Sequence, residues 1–274
     1  MGWSKSATDW VRGDTAYISV PFTWNLPQSF SRCAWYKQQG YAVRAGGPAV
    51  SLIPDYLKGV AEIGGEVPAL VQHNPLATFT SRGCIRSCSF CAVPRIEGSL
   101  VELSDWEPKP LVCDNNLLAC SRRHFDRVID RLKLLAGIDF NQGLDARLLT
   151  PRHVDLLRSL DTPTLRFSFE HISQEDDLRR AISLVTGAGF TTRRITVYVL
   201  IGFDDTPADA LYRLQTVKAL GIRPFPQRYQ PLDALVKNNY VAPSWTRAEL
   251  LKMVHYWARQ RWFEHIPYDD YVRR

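Results

Sequence analysis

The chain has 274 residues, with 34 basic against 28 acidic side chains, a formal net charge of +6, and 45% hydrophobic and 11% aromatic residues. That length lies near the point where one core stops growing, and that composition excludes a disordered, collagenous or low-complexity chain. No run of 18 apolar residues occurs and Met1–Lys5 begins no apolar leader. The expectation is therefore a cytoplasmic protein with no membrane span and no secretory signal. The mild basic excess is compatible with a nucleic-acid partner and equally with an ordinary basic surface.

In chain order, residues 1–73 read as a small α/β extension. Tyr17–Val20 is a strand, Ser29–Gln39 a helix, and Tyr41–Arg44 a second strand ending at Gly46-Gly47-Pro48; a further helix is expected from about Ser51 to Ala61. Residues 74–235 alternate short apolar runs with helical patterns. The candidate strands are Thr78–Thr80, Leu111–Cys113, Ile138–Asn141, Leu165–Phe169, Thr196–Ile201 and Ile222–Tyr229, spaced at roughly 27 to 34 residues, the length of a βα unit. They read as apolar runs rather than alternating ones, as strands covered on both faces by helices do.

Between the strands, Phe125, Val128, Ile129 and Leu132 recur at helical spacing, as do Leu178, Ala181, Ile182, Val185 and Ala188. Thr150-Pro151 and Thr206-Pro207 each put a capping hydroxyl before a proline suited to the first helical position. Thr246 with Glu249 predicts a capping box for a last helix burying Leu250, Val254, Trp257 and Ala258. Residues 236–274 are read as this helical segment and a tail. The fold class expected is α/β, and six successive units point to a partial, TIM-barrel-like (β/α)6 barrel or an open α/β sheet.

Six cysteines stand at 33, 84, 88, 91, 113 and 120, too few and too uneven for a disulfide framework. Cys84, Cys88 and Cys91 form C-x3-C-x2-C directly after the first strand of the repeating region. At this composition, two further cysteines at two fixed offsets arise by chance about once in two thousand, so metal binding is the first inference. Soft thiolates suit zinc or iron–sulfur. A structural zinc site wants a fourth ligand, for which Cys113 is the candidate. Three thiolates can instead hold three irons of a cubane and leave the fourth iron open.

The run Ser81-Arg82-Gly83-Cys84-Ile85-Arg86-Ser87-Cys88-Ser89-Phe90-Cys91 resembles the signature of the radical S-adenosylmethionine (radical SAM) enzymes, C-x3-C-x-aromatic-C, with Phe90 at the aromatic position. The resemblance implies a [4Fe–4S] cluster on Cys84, Cys88 and Cys91, S-adenosylmethionine (SAM) chelating the remaining iron, and a partial (β/α)6 barrel. It also implies an electron donor such as flavodoxin or ferredoxin. Ala92-Val93-Pro94 through Gly98 is similar to the segment after the cluster loop in methylthiotransferase-like members. Asp114-Asn115-Asn116-Leu117 resembles the "DDNF" stretch of cobalamin-type members. Val199-Leu200-Ile201-Gly202-Phe203 resembles the fifth-strand "IGF" segment, and Glu170 ends the fourth strand where many members contact SAM. Val43–Pro48 resembles the later part of a cobalamin-binding domain but lacks the histidine loop that grips cobalt, so residues 1–73 are expected to be a degenerate extension without cobalamin.

Polar groups at the C-terminal ends of barrel strands face the mouth. Asp114, Asn115, Asn116, Asn141, Gln142, Asp145, Arg147 and Glu170 are accordingly the candidates for holding SAM. An Asx turn at 114–116 and a simple Asp145–Arg147 pair are the competing readings. Cys120, His171 and Tyr229 are catalytic candidates, and Arg223 and Arg228 substrate-binding candidates. Asp204 and Asp205 are expected to cap the helix starting near Pro207. Helix 122–133 carries Arg122, Arg123, Arg127, Arg131 and Lys133 against Asp126 and Asp130, a phosphate-facing stripe or a solvated face. The expected function is radical SAM modification of a nucleobase in nucleic acid or a nucleotide. A peptide- or small-molecule-modifying radical SAM enzyme and a non-catalytic, metal-stabilised nucleic-acid-binding protein stand as alternatives.

Overall fold

A computed structural model describes Trp3, residues 5–64 and residues 69–272. Met1, Gly2 and Ser4 of the opening stretch, residues 65–68 of the expected extension and residues 273–274 of the tail lie outside the described residues. The chain divides into two compact units. The first comprises Met1–Ala77, Arg86–Gly98 and Gln230–Tyr240; the second comprises Thr78–Ile85, Ser99–Tyr229 and Val241–Arg274.

The first unit is built on β1 (Thr8–Arg12), β2 (Thr15–Ser19), α1 (Leu26–Gln38), β3 (Ala42–Gly46) and β4 (Glu62–Ile63), with sheet order β1-β2-β3-β4. β1 runs antiparallel to β2; β2, β3 and β4 are mutually parallel, with α1 as the crossover between β2 and β3. Its core collects Ala16, Ile18 and Val20, Val43 and Ala45, and Leu26 and Cys33 of α1. Each of these comes from alternate strand positions or one helix face, which is why so short a layer has a core at all.

The helix expected over Ser51–Ala61 is not formed. A short helix covers Pro48–Leu52, and a single 3-10 turn covers Pro54–Tyr56. Pro54 lacks the N–H that would continue the helix, and it drives the preceding Ile53 to φ −134 and ψ 68, outside the helical region. Gly47, between β3 and this helix, has φ +96, and a Cβ there would sit 2.8 Å from the carbonyl oxygen and 2.9 Å from the nitrogen of Val20, both backbone. Gly47→Ala should therefore lower stability by about 2 kcal/mol or more, read as a reduced urea midpoint with β2 and β3 prised apart.

The second unit contains β5 (Ala77–Thr78, whose first residue closes the other unit), β6 (Ser81–Arg82), β7 (Val101–Glu102), β8 (Leu111–Val112), α2 (Arg122–Leu132), β9 (Asp139–Phe140) and α3 (Pro151–Leu157). There follow β10 (Leu165–Ser168), α4 (Glu175–Gly187), β11 (Ile195–Ile201), α5 (Pro207–Ala219), β12 (Arg223–Arg228) and α6 (Arg247–Ala258). The expected (β/α)6 barrel is not what these strands make. They form two three-stranded sheets, β5-β8-β9 and β10-β11-β12, with β6–β7 as a separate antiparallel pair, and among the described residues no sheet closes. Between the two larger sheets, isolated parallel bridges pair Ala136 with Asp161 and Asp139 with Thr164 in place of a continuous ladder. The reason lies in the strands themselves. β5, β8 and β9 are two residues long, too short a ladder to carry curvature from one strand to the next. Where β9 meets β10, Thr164 N–H bonds the Ile138 carbonyl at 2.7 Å and Phe140 N–H the Thr164 carbonyl at 3.2 Å, and side chains add to this: Arg166 donates from Nε to Asp139 Oδ1 at 2.6 Å and from Nη1 to the Tyr198 hydroxyl at 2.7 Å.

The helices follow their apolar stripes. Phe125, Val128, Ile129 and Leu132 are buried on α2, and Leu178, Ala181, Ile182 and Val185 on α4. Each such side chain gains roughly 1.5–3 kcal/mol over leaving it in water, which is what holds a helix of this length in place. Thr150, Thr206 and Thr246 all close capping boxes, Thr246 with Glu249 as expected. On α6 the buried face is Leu250, Met253, Tyr256 and Trp257, while Val254 and Ala258 are only partly covered. Among the described residues no helix is long and apolar enough to cross a membrane.

Candidate functional site

The cysteine loop begins at β6, and its first turn is held from beneath by Asp114. Thr80 donates its backbone N–H to Asp114 Oδ1 at 2.6 Å, and its hydroxyl reaches Oδ2. Ser81 donates its hydroxyl to Oδ2 at 2.9 Å. Asp114 is 2% exposed. Burial pushes its carboxyl up, and the donors on Thr80 and Ser81 act against that shift. Its oxygens are thus used inside the protein, stapling the start of the loop to the end of β8. Behind it, Thr80 Oγ1 lies 3.2 Å from His124 Nε2, and Arg127 Nη2 lies 3.0 Å from His124 Nδ1.

Cys84 belongs to the second unit, and Cys88 and Cys91 to the Arg86–Gly98 stretch of the first. All three are half-buried, no disulfide joins any of the six cysteines, and Cys91 N–H donates to the Cys88 carbonyl at 3.0 Å. Among the described residues no three His, Cys, Asp or Glu side chains stand together as a metal-ion site. The remaining thiols differ in kind. Burial pushes Cys33 up to about 11, Cys113 to about 12 and Cys120 to about 11. Cys113 is buried and donates its S–H to the Leu111 carbonyl at 3.7 Å. Cys120 at neutral pH is a protonated thiol rather than a nucleophile.

Three of the candidates at strand ends are linked in a chain that starts at Cys84, and a fourth lies within electrostatic reach of its far end. Asn116 Nδ2 lies 3.7 Å from Cys84 Sγ and donates to Asp145 Oδ2 at 3.2 Å. Asp145 in turn receives Arg147 Nε at 2.6 Å and Nη2 at 3.1 Å. The pairing of Asp145 with Arg147 is therefore real, and it serves to orient Asn116. Glu170 stands near enough to feel both charges: burial pushes its carboxyl up, while Gln174 and the Arg147 guanidinium pull it back. Asn116 Oδ1 is buried with no hydrogen-bond partner.

The other candidates lie apart from this group or in other roles. Asn115 and Asn141 are half-buried, with Asn141 N–H bound to the Val112 carbonyl at 2.9 Å, and Gln142 is exposed. The exposed His171 accepts from Ser173 N–H at 3.2 Å and caps the turn Ile172–Gln174. Tyr229 packs its ring 4.7 Å from Phe203. Arg228 is half-buried, its guanidinium pushed down by burial and by Arg247. Arg223 is exposed and donates to the Ala258 carbonyl at 2.8 Å. On α2, Asp126 pairs with Arg152 and Asp130 with Lys133, while Arg127 turns back to the Leu103 carbonyl at 2.6 Å and Arg131 covers the Trp106 ring. That helix is largely a solvated face with its own pairs.

Sequence reasoning missed Arg213. It is 1% exposed and donates Nη1 to the carbonyls of Phe169 at 3.0 Å, Glu170 at 2.9 Å and Leu200 at 2.7 Å, while Nη2 pairs with Asp205. Asp205 also accepts from Gly202 N–H and from the Trp245 indole, each at 2.9 Å. Asp205 is thus not the helix cap expected; Thr206 is, accepting from Asp209 N–H at 3.2 Å. The signal was present, since Arg213 falls on the stripe of Ala210, Leu214 and Val217, where a charge must find partners or leave.

No protein-family model matches the sequence, and no curated protein matches it. Among solved structures, SuiB of Streptococcus suis is similar to this chain with a TM-score of 0.46 and 10% sequence identity, over 95% of this chain and 70% of that one. At that degree of likeness nothing about chemistry passes from one to the other.

Proposed function

We propose that this chain is a radical SAM enzyme. The observation that carries the reading is the C-x3-C-x2-C loop with Phe90, read together with the group at Cys84: Asn116, Asp145, Arg147 and Glu170. The donor chemistry fits an iron–sulfur cluster, because Cys84, Cys88 and Cys91 are soft ligands outside any disulfide. The unfilled Asn116 Oδ1 fits the ammonium of SAM.

When bound, the cluster and SAM supply a one-electron reductive cleavage that yields methionine and a 5′-deoxyadenosyl radical able to take hydrogen from substrate. This chain's part is to bind and orient. By their motif, Cys84, Cys88 and Cys91 would be the residues that hold the cluster. Asn116 and Glu170 take the ammonium, and Arg147, fixed by Asp145, takes the carboxylate. The substrate class we assign is a nucleobase in nucleic acid or a nucleotide, resting on the +6 charge. The electron donor in this reading is one such as flavodoxin or ferredoxin.

Anaerobic reconstitution followed by reduction with SAM present tests the reading. About four irons and four sulfides per chain and reductant-dependent 5′-deoxyadenosine are expected. One bound zinc and no SAM cleavage would instead make this a metal-stabilised binding protein.

A further inference from the structure

We infer that Asn116 sets the redox poise of the cysteine loop: its side-chain N–H, held toward Cys84, raises the reduction potential of a cluster bound through that sulfur. The inference rests on the reading that the loop takes an iron–sulfur cluster, and it assigns Asn116 a role as a positioning and tuning residue distinct from contact with SAM.

The geometry dictates the amide's orientation. Nδ2 has two protons and two acceptors, Cys84 Sγ at 3.7 Å and Asp145 Oδ2 at 3.2 Å. Asp145 is itself pinned by two bonds from Arg147 and by Arg147 N–H at 3.2 Å. Turning the amide over would set Oδ1 against the Asp145 carboxylate, acceptor against acceptor. The N–H side therefore faces the sulfur, and it does so in a side chain only 3% exposed, where water competes little and the local dielectric is low.

The energetic consequence has a definite sign. Reduction adds one electron, spread over iron and sulfur, so a donor on a ligand sulfur stabilises the reduced state more than the oxidised one. Hydrogen bonds to the sulfurs are one of the protein's means of setting cluster potentials. Removing the donor should make the cluster harder to reduce.

The test uses the full chain as wild type, N116L and N116S. Leucine keeps the volume and removes both protons; serine is too short to span the gap to the sulfur. Each protein is reconstituted anaerobically, assayed for iron and sulfide, and titrated with dithionite through redox mediators while the EPR signal of the reduced cluster is followed, with no SAM present. Equal loading is expected in all three. In both variants the reduced-to-oxidised ratio at the wild-type midpoint should fall about three- to tenfold, a shift of about 30 to 60 mV for a one-electron couple at 59 mV per tenfold. A loaded N116L with the wild-type midpoint overturns the inference and leaves the reading intact. Wild type that takes up no cluster overturns the reading and the inference together. If N116L alone fails to load, the N116S midpoint decides: lowered supports the inference and unchanged overturns it. Loss of the cluster from both variants, with wild type loaded, makes Asn116 an assembly residue and overturns the inference as well.

Discussion

Arg213→Ala should destabilise the protein by about 3–5 kcal/mol, the range for removing one partner of a buried, hydrogen-bonded ion pair. Three backbone carbonyls, of Phe169, Glu170 and Leu200, lose their donor at once, and Asp205 is left at 9% side-chain exposure without its counter-charge. Burial already pushes the Asp205 carboxyl up, so much of the loss should appear as protonation of that group. Arg213→Met keeps the stem's packing and isolates the electrostatic part. The double variant Arg213→Met, Asp205→Leu removes both charges and should recover a good share of the stability, since paired buried charges often exchange for apolar groups at little cost. Urea midpoints of the four proteins check this. A double variant no more stable than Arg213→Met would mean that the carbonyl contacts, not the ion pair, carry the energy. Because Arg213 grips the carbonyl of Glu170 itself, the single variants should also weaken SAM binding well before the protein unfolds.

The second large effect is expected at the loop. Replacing Cys84, Cys88 or Cys91 by alanine should lower iron to well below the wild-type content and take 5′-deoxyadenosine formation below detection, because a cluster missing one thiolate neither assembles stably nor presents its open iron correctly. Cys113→Ala should behave oppositely, retaining iron and SAM cleavage at a stability loss of about 1–2 kcal/mol for a buried thiol. Iron analysis, the cleavage assay and a urea midpoint read on the same preparations separate the two classes. Equal metal loss on Cys113→Ala would point to a four-thiolate zinc site and away from radical chemistry.

The parts of this protein legible in its sequence are those fixed by local rules. Phe125, Val128, Ile129 and Leu132 form a stripe because a 3.6-residue period admits few other solutions, and Thr246 with Glu249 caps a helix because both partners lie within one turn. Asp145 and Arg147 were likewise readable as a pair. The barrel was not, because closure depends on ladder length between strands distant in sequence, and two-residue strands look the same on paper as the middles of longer ones. Nor was the division of labour among Asp114, Asn115 and Asn116. The regular strand ends at Val112, so no strand period assigns the sides of these residues: Asp114 went to the interior beneath Thr80 and Asn116 to the sulfur of Cys84. Pattern alone assigned all three one duty.

β12, reading Arg-Pro-Phe-Pro-Gln-Arg, ends its sheet. Tyr229, just beyond it, gives its N–H to the Ile201 carbonyl of β11, so the odd-numbered amides of β12 face inward and the even-numbered positions face away. Two of those outward positions are Pro224 and Pro226, which have no proton to offer. A border strand that offers no proton at two of its outward positions is a poor template for a strand from a neighbouring molecule, and this discouragement of self-association is written into the backbone rather than left to surface charge.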